Sequence, residues 1–284
     1  MKVLLAGLCT VDVVQRVAEI PEPGEKVQSL EVAVAAGGPA TNAAVTAAAL
    51  GSETTLVTVL GAHPLAALAR ADLDAHGVHL VDLAPDLVAP PTVSAAVVRD
   101  RDGERTVVSR NAADSHFHAE SATFGVKVEA GAVLVDGHHP KLALQVARAA
   151  KERGIPVILD AGSWKPVLDE LLPLVDIAAC SARFRAPGPG LHERGVATVI
   201  TTAGPDPVRW STADGAKGEV PVTPVKARDT LGAGDVWHGA FLHAVAGGAA
   251  PVAGIRFAND VAATRVRHAG PRSWTAAIAG KGRA

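Results

Sequence analysis

The sequence contains no tyrosine, and aromatic residues make up only 3% of its 284 positions. Proteins that bind single-stranded nucleic acid stack the bases on aromatic side chains, so this composition argues against such a role. The formal net charge is −2, which provides no general attraction to nucleic acid or to an anionic membrane surface. We therefore expect no nucleic-acid partner.

Cysteines and long apolar segments are also scarce. The two cysteines, Cys9 and Cys180, each lie in an apolar run that predicts a strand. We expect buried free thiols there, not a disulfide framework. The first residues predict a β-strand and lack the apolar core and cleavage site of a signal peptide. The alanine-rich run 43–50 is too short to span a bilayer. These features predict a cytoplasmic protein with no membrane partner.

Short β-branched runs alternate with helical stretches rich in alanine and leucine. Strands are predicted at 3–6, 54–59, 133–136, 157–160, 177–180 and 198–202. Helices are predicted at 41–50, 64–76, 141–153, 164–172, 233–246 and 252–268. This alternation is typical of an α/β fold whose mainly parallel sheet is covered by helices on both faces. The absence of repeats and low-complexity linkers favours one domain over residues 1–284.

Two regions, about 26–36 and 92–110, break this alternation. The first alternates in polarity, and the second predicts a hairpin with its turn at Asp102-Gly103. Strands without helices inside an α/β chain indicate a small β-sheet outside the main layer. Such a lid can cover a site, form a dimer contact or be decoration. An uncovered lid would expose edges and an apolar face, which favours a homodimer through it.

The most informative segment runs from Asp229 to Asp235 and reads Asp-Thr-Leu-Gly-Ala-Gly-Asp. Gly232, Ala233 and Gly234 allow a tight turn at a helix start, where free N–H groups and the helix dipole form an anion site. A carboxylate beside an anion site suits a general base. Asp235 would accept a proton from a substrate hydroxyl while the N–H groups stabilise the phosphoryl charge. The alternative is a glycine-rich helix start with a first-turn acid.

This loop and the Gly239-Ala240-Phe241 that follows it resemble the C-terminal signature of the ribokinase-like (PfkB) carbohydrate kinase family. The chain has no Gly-x-x-x-x-Gly-Lys-Ser/Thr loop, and no Gly-x-Gly-x-x-Gly follows the first strand. The resemblance implies a three-layer ribokinase-like sandwich with a β-lid. It also implies ATP and Mg²⁺ as cofactors, and K⁺ near Asp229.

A second motif, Gly-Gly-Pro-Ala-Thr-Asn at 37–42, resembles the family's N-terminal signature. The resemblance implies that Gly37, Gly38 and Asn42 contact the sugar. Glycines permit close backbone approach to a ligand, and the Asn amide offers a donor and an acceptor. Asp12, after the first strand, matches the family's sugar-binding Asp. His138 ends another predicted strand, and we expect it on the substrate side. Read alone, the glycine pair and Asn42 favour a turn with a helix cap, and the alternatives for Asp12 and His138 are a solvated loop and the surface.

The nucleotide side of the resemblance is less complete. Thr202 and Gly204 resemble a phosphate-contacting Thr-x-Gly-x-x-Gly turn, although Pro207 replaces its second Gly. Asn259 is implied to border the nucleotide. The family's Asn-x-x-Glu, tied to metal and phosphate, is replaced by Ser-Ala-Arg-Phe at 181–184, so Mg²⁺ is expected to be held differently.

Together these features predict an enzyme that moves the γ-phosphoryl group of ATP to a hydroxyl of a sugar or sugar-like molecule. A nucleoside or vitamin-like alcohol kinase of the same fold is one alternative. A non-catalytic sugar- or nucleotide-binding regulator is another, favoured by the missing Asn-x-x-Glu. A dehydrogenase is disfavoured because the dinucleotide motif is absent.

Overall fold

The computed structural model describes residues 1–110 and 127–283. The strands are β1 (Lys2–Ala6), β2 (Thr10–Val17), β3 (Glu31–Gly37), β4 (Glu53–Thr58), β5 (Val78–Asp82), β6 (Val93–Arg99), β7 (Arg105–Ser109), β8 (Ala132–Val135), β9 (Val157–Ala161), β10 (Ile177–Ser181), β11 (Thr198–Ala203), β12 (Asp206–Thr212) and β13 (Lys217–Val220). The helices are α1 (Pro39–Ala49), α2 (Pro64–Ala75), α3 (Pro140–Glu152), α4 (Leu168–Leu171), α5 (Ala233–Ala246), α6 (Pro251–Arg265) and α7 (Thr275–Ile278).

The main sheet has nine strands in the order β13-β12-β11-β10-β9-β8-β1-β4-β5. The seven strands from β11 to β5 are parallel, and β12 and β13 add an antiparallel edge. Leu5 and Leu4 show how the sheet is covered, because neighbouring residues of a strand point to opposite faces. Leu5 belongs to the apolar cluster that includes α1, α2, α5 and α6, whereas Leu4 belongs to the cluster with α3 and α4. The predicted helix-covered parallel sheet is confirmed.

A second sheet of four strands, in the order β3-β2-β6-β7, forms the lid. The prediction found β6, β7 and their turn, but it missed β2, which is central in the lid. Asp12 follows β1, as expected, but it lies within a strand and not in a solvated loop, which was the alternative. One face of the lid packs Val14, Ala96 and Val98 against Leu231, which belongs to the glycine-rich loop.

The lid touches the segment that leads into α5 through β2 and through the hairpin of β6 and β7. Arg16 donates to the carbonyl of Arg228 at 2.9 Å, and Arg105 donates to the Thr230 hydroxyl at 2.6 Å. Gly103 lies so close that a Cβ there would be 2.7 Å from the Arg228 carbonyl oxygen. The lid thus rests directly on the backbone that precedes the predicted anion site.

Other differences from the predictions are local. The helix predicted at 164–172 is reduced to α4 followed by a 3₁₀ turn, since Pro166 disfavours a helical conformation at the preceding Lys165. The strands β5, β12 and β13 were not predicted from the sequence. No helix in the described part of the chain has both the length and the apolar character needed to cross a membrane.

Candidate active site

The glycine-rich loop forms a helix N-terminus, as predicted. Gly232 is the N-cap of α5 and has a φ of 70°, a left-handed conformation that favours glycine. Ala233 donates its N–H to the Thr230 carbonyl at 3.2 Å, so this predicted anion donor is already engaged. The described residues provide no acceptor for the N–H groups of Gly232 and Gly234. These two N–H groups are available to an anion.

Asp235 lies half-buried in the first turn of α5. Its Oδ2 accepts a hydrogen bond from Asn42 Nδ2 at 2.9 Å. Burial and the nearby Asp160 carboxylate raise the pKa of Asp235 to about 6, although the Asn42 bond and His238 oppose this shift. A base with such a pKa is ionised near neutral pH and still accepts a proton readily.

The Asn42 amide is oriented by Arg272, which the sequence analysis did not identify as a site residue. Arg272 Nη1 donates to Asn42 Oδ1 at 3.1 Å, and this leaves Nδ2 to face Asp235. The same guanidinium donates to the Ala36 carbonyl and forms an ion pair with Asp72 at 2.8 Å. Asp72, Arg272, Asn42 and Asp235 therefore form one continuous hydrogen-bonded chain.

Asp12 and the glycine pair meet at the boundary between the lid and α1. A Cβ on Gly37 would lie 2.0 Å from Asp12 Oδ2, so only glycine leaves room for this carboxylate. Gly38 has a φ of 96°, and a Cβ there would lie 2.4 Å from the Leu8 carbonyl oxygen. Burial raises the pKa of Asp12, although hydrogen bonds from Thr10 and Ser94 oppose the shift.

The same small cleft brings together residues from both ends of the chain. Its lining includes Asp12, Asn42 and Gly232, together with Val14 of the lid and Arg265 of α6. The Asp12 carboxylate also contributes to the raised pKa of Asp235. The structure therefore brings the predicted sugar-binding residues next to the predicted base.

His138 lies beside a buried carboxylate. Asp136 is 0% exposed and accepts hydrogen bonds from the N–H groups of Leu8 and His138, both at 2.9 Å. The His138 ring Nδ1 lies 3.3 Å from Asp136. Burial opposes the ionisation of Asp136, yet His138 and these N–H groups hold its pKa below the ordinary value. In this structure His138 is turned towards Asp136, and its contact with substrate stays a prediction.

Asp160 and His238 form a second buried pair near the base. Asp160, in β9, is 6% exposed and lies 3.3 Å from His238 Nδ1, while His238 Nε2 lies 3.2 Å from the Ala179 carbonyl. A carbonyl only accepts, so Nε2 carries a proton and Nδ1 faces the carboxylate. Burial raises the pKa of Asp160, which His238 partly offsets. This pair contributes to the electrostatics around Asp235.

The predicted nucleotide residues are not among those that line the cleft. Thr202 is in β11 and donates to the Cys180 carbonyl at 3.4 Å, and Gly204 begins the turn to β12 with a φ of 64°. Asn259 is buried in α6, where it accepts from Trp237 Nε1 at 2.8 Å and donates to the Pro221 carbonyl at 3.2 Å. The Asn259 amide thus has protein partners on both sides. Contact of these residues with nucleotide stays a prediction.

The surroundings of Asp229 do not fit the K⁺ ion that the resemblance implies. Asp229 is 1% exposed and accepts from the N–H groups of Leu231 and Gly270, both at 2.9 Å. The Arg265 guanidinium lies 3.4 Å from the same carboxylate. A second positive charge would be repelled strongly at this distance in a buried environment.

The described residues contain no group of three or more His, Cys, Asp or Glu side chains suited to a metal ion. Mg²⁺ in phosphoryl-transfer sites is usually held by one or two carboxylates together with substrate phosphates. Such an Mg²⁺ would arrive on the nucleotide, and the protein group that contacts it stays a prediction.

Comparison with known proteins identifies the family and the fold. Residues 1–183 and 184–277 match the protein family described as "pfkB family carbohydrate kinase". A ribokinase from Arabidopsis thaliana is 29% identical over 93% of this chain and 76% of its own length. A ribokinase from Bacillus subtilis is 26% identical over 93% of this chain and 92% of its own. The structure of Arabidopsis thaliana ribokinase complexed with ribose and ATP superposes with a TM-score of 0.74, at 24% identity over 98% of each chain.

An aspartate at a helix N-terminus with unbonded N–H groups, next to a β-lid, is an arrangement suited to phosphoryl transfer to a small molecule. The family match covers nearly the whole length of the chain, and the fold agrees with that of a ribokinase. This chain belongs to the pfkB family of carbohydrate kinases, and the predicted ribokinase-like fold is confirmed.

Proposed function

We propose that this enzyme transfers the γ-phosphoryl group of ATP to a hydroxyl of a furanose-type sugar, with ribose as the first acceptor to test. The observation that carries the proposal is the position of Asp235, fixed by Asn42 beside the unbonded N–H groups of Gly232 and Gly234. The ribokinases among its relatives and the ribose in the complexed neighbour support the choice of sugar.

In the proposed reaction Asp235 accepts the proton of the acceptor hydroxyl as its oxygen bonds to the γ-phosphorus. The bond from phosphorus to the bridging oxygen breaks, and ADP leaves with that oxygen. The N–H groups of Gly232 and Gly234 donate to the transferred group and stabilise its charge. Mg²⁺ on the nucleotide neutralises phosphate charge when bound.

The acceptor side favours a neutral polyol. Asp12 offers carboxylate oxygens to sugar hydroxyls, and the Gly37-Gly38 backbone allows close approach. The nearby Arg272 guanidinium is neutralised by Asp72 and donates to Asn42 and to the Ala36 carbonyl. Because the donors of Arg272 are already engaged, this guanidinium is not available to bind a substrate phosphate. The site therefore favours a sugar without a phosphate group over a sugar phosphate.

The outer face of the lid supports a homodimer. Strand register places Val34, Val13, Ala95 and Val108 in one row across all four strands. Val34 is 46% exposed and Val108 is 72% exposed, and Val32 on the same face is 59% exposed. We infer that a second copy of the chain covers this apolar row, since a contiguous exposed apolar face favours association.

The activity test is acceptor-dependent ADP release with Mg-ATP. The acceptors are ribose, 2-deoxyribose, other aldoses and ketoses, ribose 1-phosphate and nucleosides. The variants are Asp235→Asn and the matched control Asp260→Asn, whose side chain is exposed on α6. We expect release with a free pentose that falls by about 10³-fold or more in Asp235→Asn and persists in the control.

Two outcomes would contradict the proposal. Equal turnover in Asp235→Asn and the parent enzyme would remove Asp235 as the base. ATP binding without release for any acceptor would favour a sugar- or nucleotide-binding regulator. Preference for nucleosides over free sugars would instead establish the related nucleoside kinase activity.

A further inference from the structure

Arg265, the last residue of α6, is almost completely buried, with 1% of its surface exposed. Its Nη1 donates to the His268 carbonyl at 2.8 Å and to the Asp229 carbonyl at 3.4 Å. Its Nη2 donates to the Leu231 carbonyl at 2.7 Å and lies 3.4 Å from Asp229 Oδ1. One guanidinium thus donates hydrogen bonds to three backbone carbonyls and forms an ion pair with one carboxylate.

This set of oxygens is of the kind that binds a monovalent metal ion. Backbone carbonyl oxygens replace the hydration shell of K⁺ in protein sites, and a carboxylate supplies the compensating charge. Here the guanidinium provides the positive charge and also satisfies the oxygens. Arginine stays charged at all physiological pH values, so the charge at this position is permanent.

The three carbonyls connect this charge to the catalytic loop. Asp229 and Leu231 directly precede Gly232, whose left-handed conformation presents the anion-binding N–H groups. Arg265 binds the Leu231 carbonyl, which belongs to the same planar peptide unit as the Gly232 N–H, so the guanidinium fixes the orientation of that N–H group. His268 ties the same guanidinium to the segment after α6.

Arg265 also lines the cleft that contains Asp12, Asn42 and Gly232. A fixed positive charge behind an anion site stabilises negative charge that develops during phosphoryl transfer. Because the charge is covalently attached to α6, no ion needs to bind before the loop adopts its shape.

We propose that Arg265 is a built-in replacement for a monovalent cation, which holds loop 229–232 in its anion-binding shape and makes the enzyme independent of K⁺. Arg265 acts here as a positioning residue. The measurement of turnover rests on the proposed kinase function. The measurement of K⁺ binding through the melting temperature does not depend on that function.

The first experiment uses the unaltered enzyme. Turnover and melting temperature are measured in KCl, NaCl and tetramethylammonium chloride at equal ionic strength, after exchange into K⁺-free buffer. We expect kcat to change by less than about twofold and the melting temperature to show no K⁺-specific rise. A K⁺-selective rise in either quantity would overturn the proposal. If turnover is absent in every salt, the proposed function has failed, and the melting temperature still decides the cation question.

The second experiment replaces the charge. In Arg265→Ala, we expect kcat to fall by about tenfold or more and to recover when guanidinium ion or K⁺ is added at low concentration. Arg265→Lys should keep part of the activity without added cation. The matched control is Arg256→Ala, which changes an exposed arginine of the same helix and should respond to neither ion.

A folded Arg265→Ala variant that keeps full turnover in tetramethylammonium chloride would overturn the proposal. So would a loss of turnover that neither cation restores, because that would indicate packing alone. Circular dichroism and the melting curve establish folding of each variant. If Arg265→Ala does not fold, the salt series on the unaltered enzyme and the Arg265→Lys variant decide the question.

Discussion

Asn42 donates its amide N–H to Asp235 across 193 residues of sequence, at 2.9 Å. This bond joins the start of α1 to the start of α5 and so places the sugar-binding motif against the base. The Asn42 amide cannot rotate freely, because Arg272 holds its oxygen at 3.1 Å. Several expected outcomes depend on this relationship.

The rate of phosphoryl transfer should depend on the ionisation of Asp235. Burial and Asp160 raise the pKa of this carboxylate to about 6. We expect kcat/KM for the sugar to fall as pH drops below about 6, by about tenfold per unit, because the protonated acid accepts no proton. The acid limb of the pH profile of kcat/KM is measured by direct detection of ADP at roughly pH 4.5–8.5, a range that extends to both sides of this pKa. An acid limb near pH 4 would contradict the shifted pKa.

The same shift predicts that Asp235 reduces stability. The folded-state pKa of about 6 lies above the ordinary aspartate pKa of 3.8, so the folded protein binds a proton more tightly than the unfolded chain. The resulting loss of stability grows between these two pH values and is complete above pH 6. We expect Asp235→Asn to raise the free energy of unfolding at pH 8 by on the order of 1–2 kcal/mol.

Below pH 4 that gain should disappear, because the carboxyl group is then protonated in both states. Urea unfolding at the two pH values measures the difference. The exposed control Asp260→Asn should show no comparable gain. A destabilised Asp235→Asn at pH 8 would show that the Asn42 contact outweighs the buried charge.

Arg272 should act through Asn42. In Arg272→Ala the Asn42 amide loses its fixed orientation, and Asp72 loses its ion pair. We expect kcat to fall by about 10- to 100-fold, with ATP affinity retained. The acid limb should also move to higher pH, because the bond from Asn42 normally lowers the pKa of Asp235.

The matched control for this change is Arg209→Ala, whose side chain is exposed on β12. An unchanged acid limb together with a lower melting temperature would mean that Arg272 only supports packing. Arg272→Lys keeps the charge but not the planar set of donors, so we expect it to recover only part of the loss.

The sheet could be read from the sequence because its strands and helices are regular. β1, β4 and β8 to β11 are short, largely apolar runs bounded by turn residues and separated by helical stretches, and this pattern is visible in the local sequence. β12 and β13 were missed because polar residues interrupt their sequences, and β13, at the edge of the sheet, has only four residues. β2 was missed because Asp12 interrupts its apolar pattern, and its pairing partners β3 and β6 lie elsewhere in the chain.

The site could be predicted only where a local motif marks it. Gly37, Asn42 and Asp235 lie in such motifs, and the structure brings them together. Arg272 and Asp72 were missed because their contact spans 200 residues, and no local pattern pairs two surface-type residues over that distance. The same reason applies to Arg265, which in sequence resembles an ordinary basic residue at a helix end.

Gly37 should be required for acceptor binding. A Cβ at this position would lie 2.0 Å from Asp12 Oδ2, so Gly37→Ala must displace the Asp12 carboxylate. We expect the KM for the sugar to rise by about tenfold or more, while the ATP-induced rise in melting temperature persists. The control is Gly280→Ala, where a Cβ would meet no atom within 4 Å. An unchanged sugar KM would remove Asp12 from the acceptor site.

The outer face of the lid should determine the oligomeric state. Val34 and Val108 lie in one apolar row and are largely exposed, so a charge at either position would be buried without a partner in the proposed dimer. We expect light scattering to give the mass of two chains for the parent protein and of one chain for Val34→Asp/Val108→Asp. The control Val88→Asp changes a valine that is 79% exposed outside the lid and should leave the dimer intact. A monomeric parent protein, or a dimer in the double variant, would contradict association through this face.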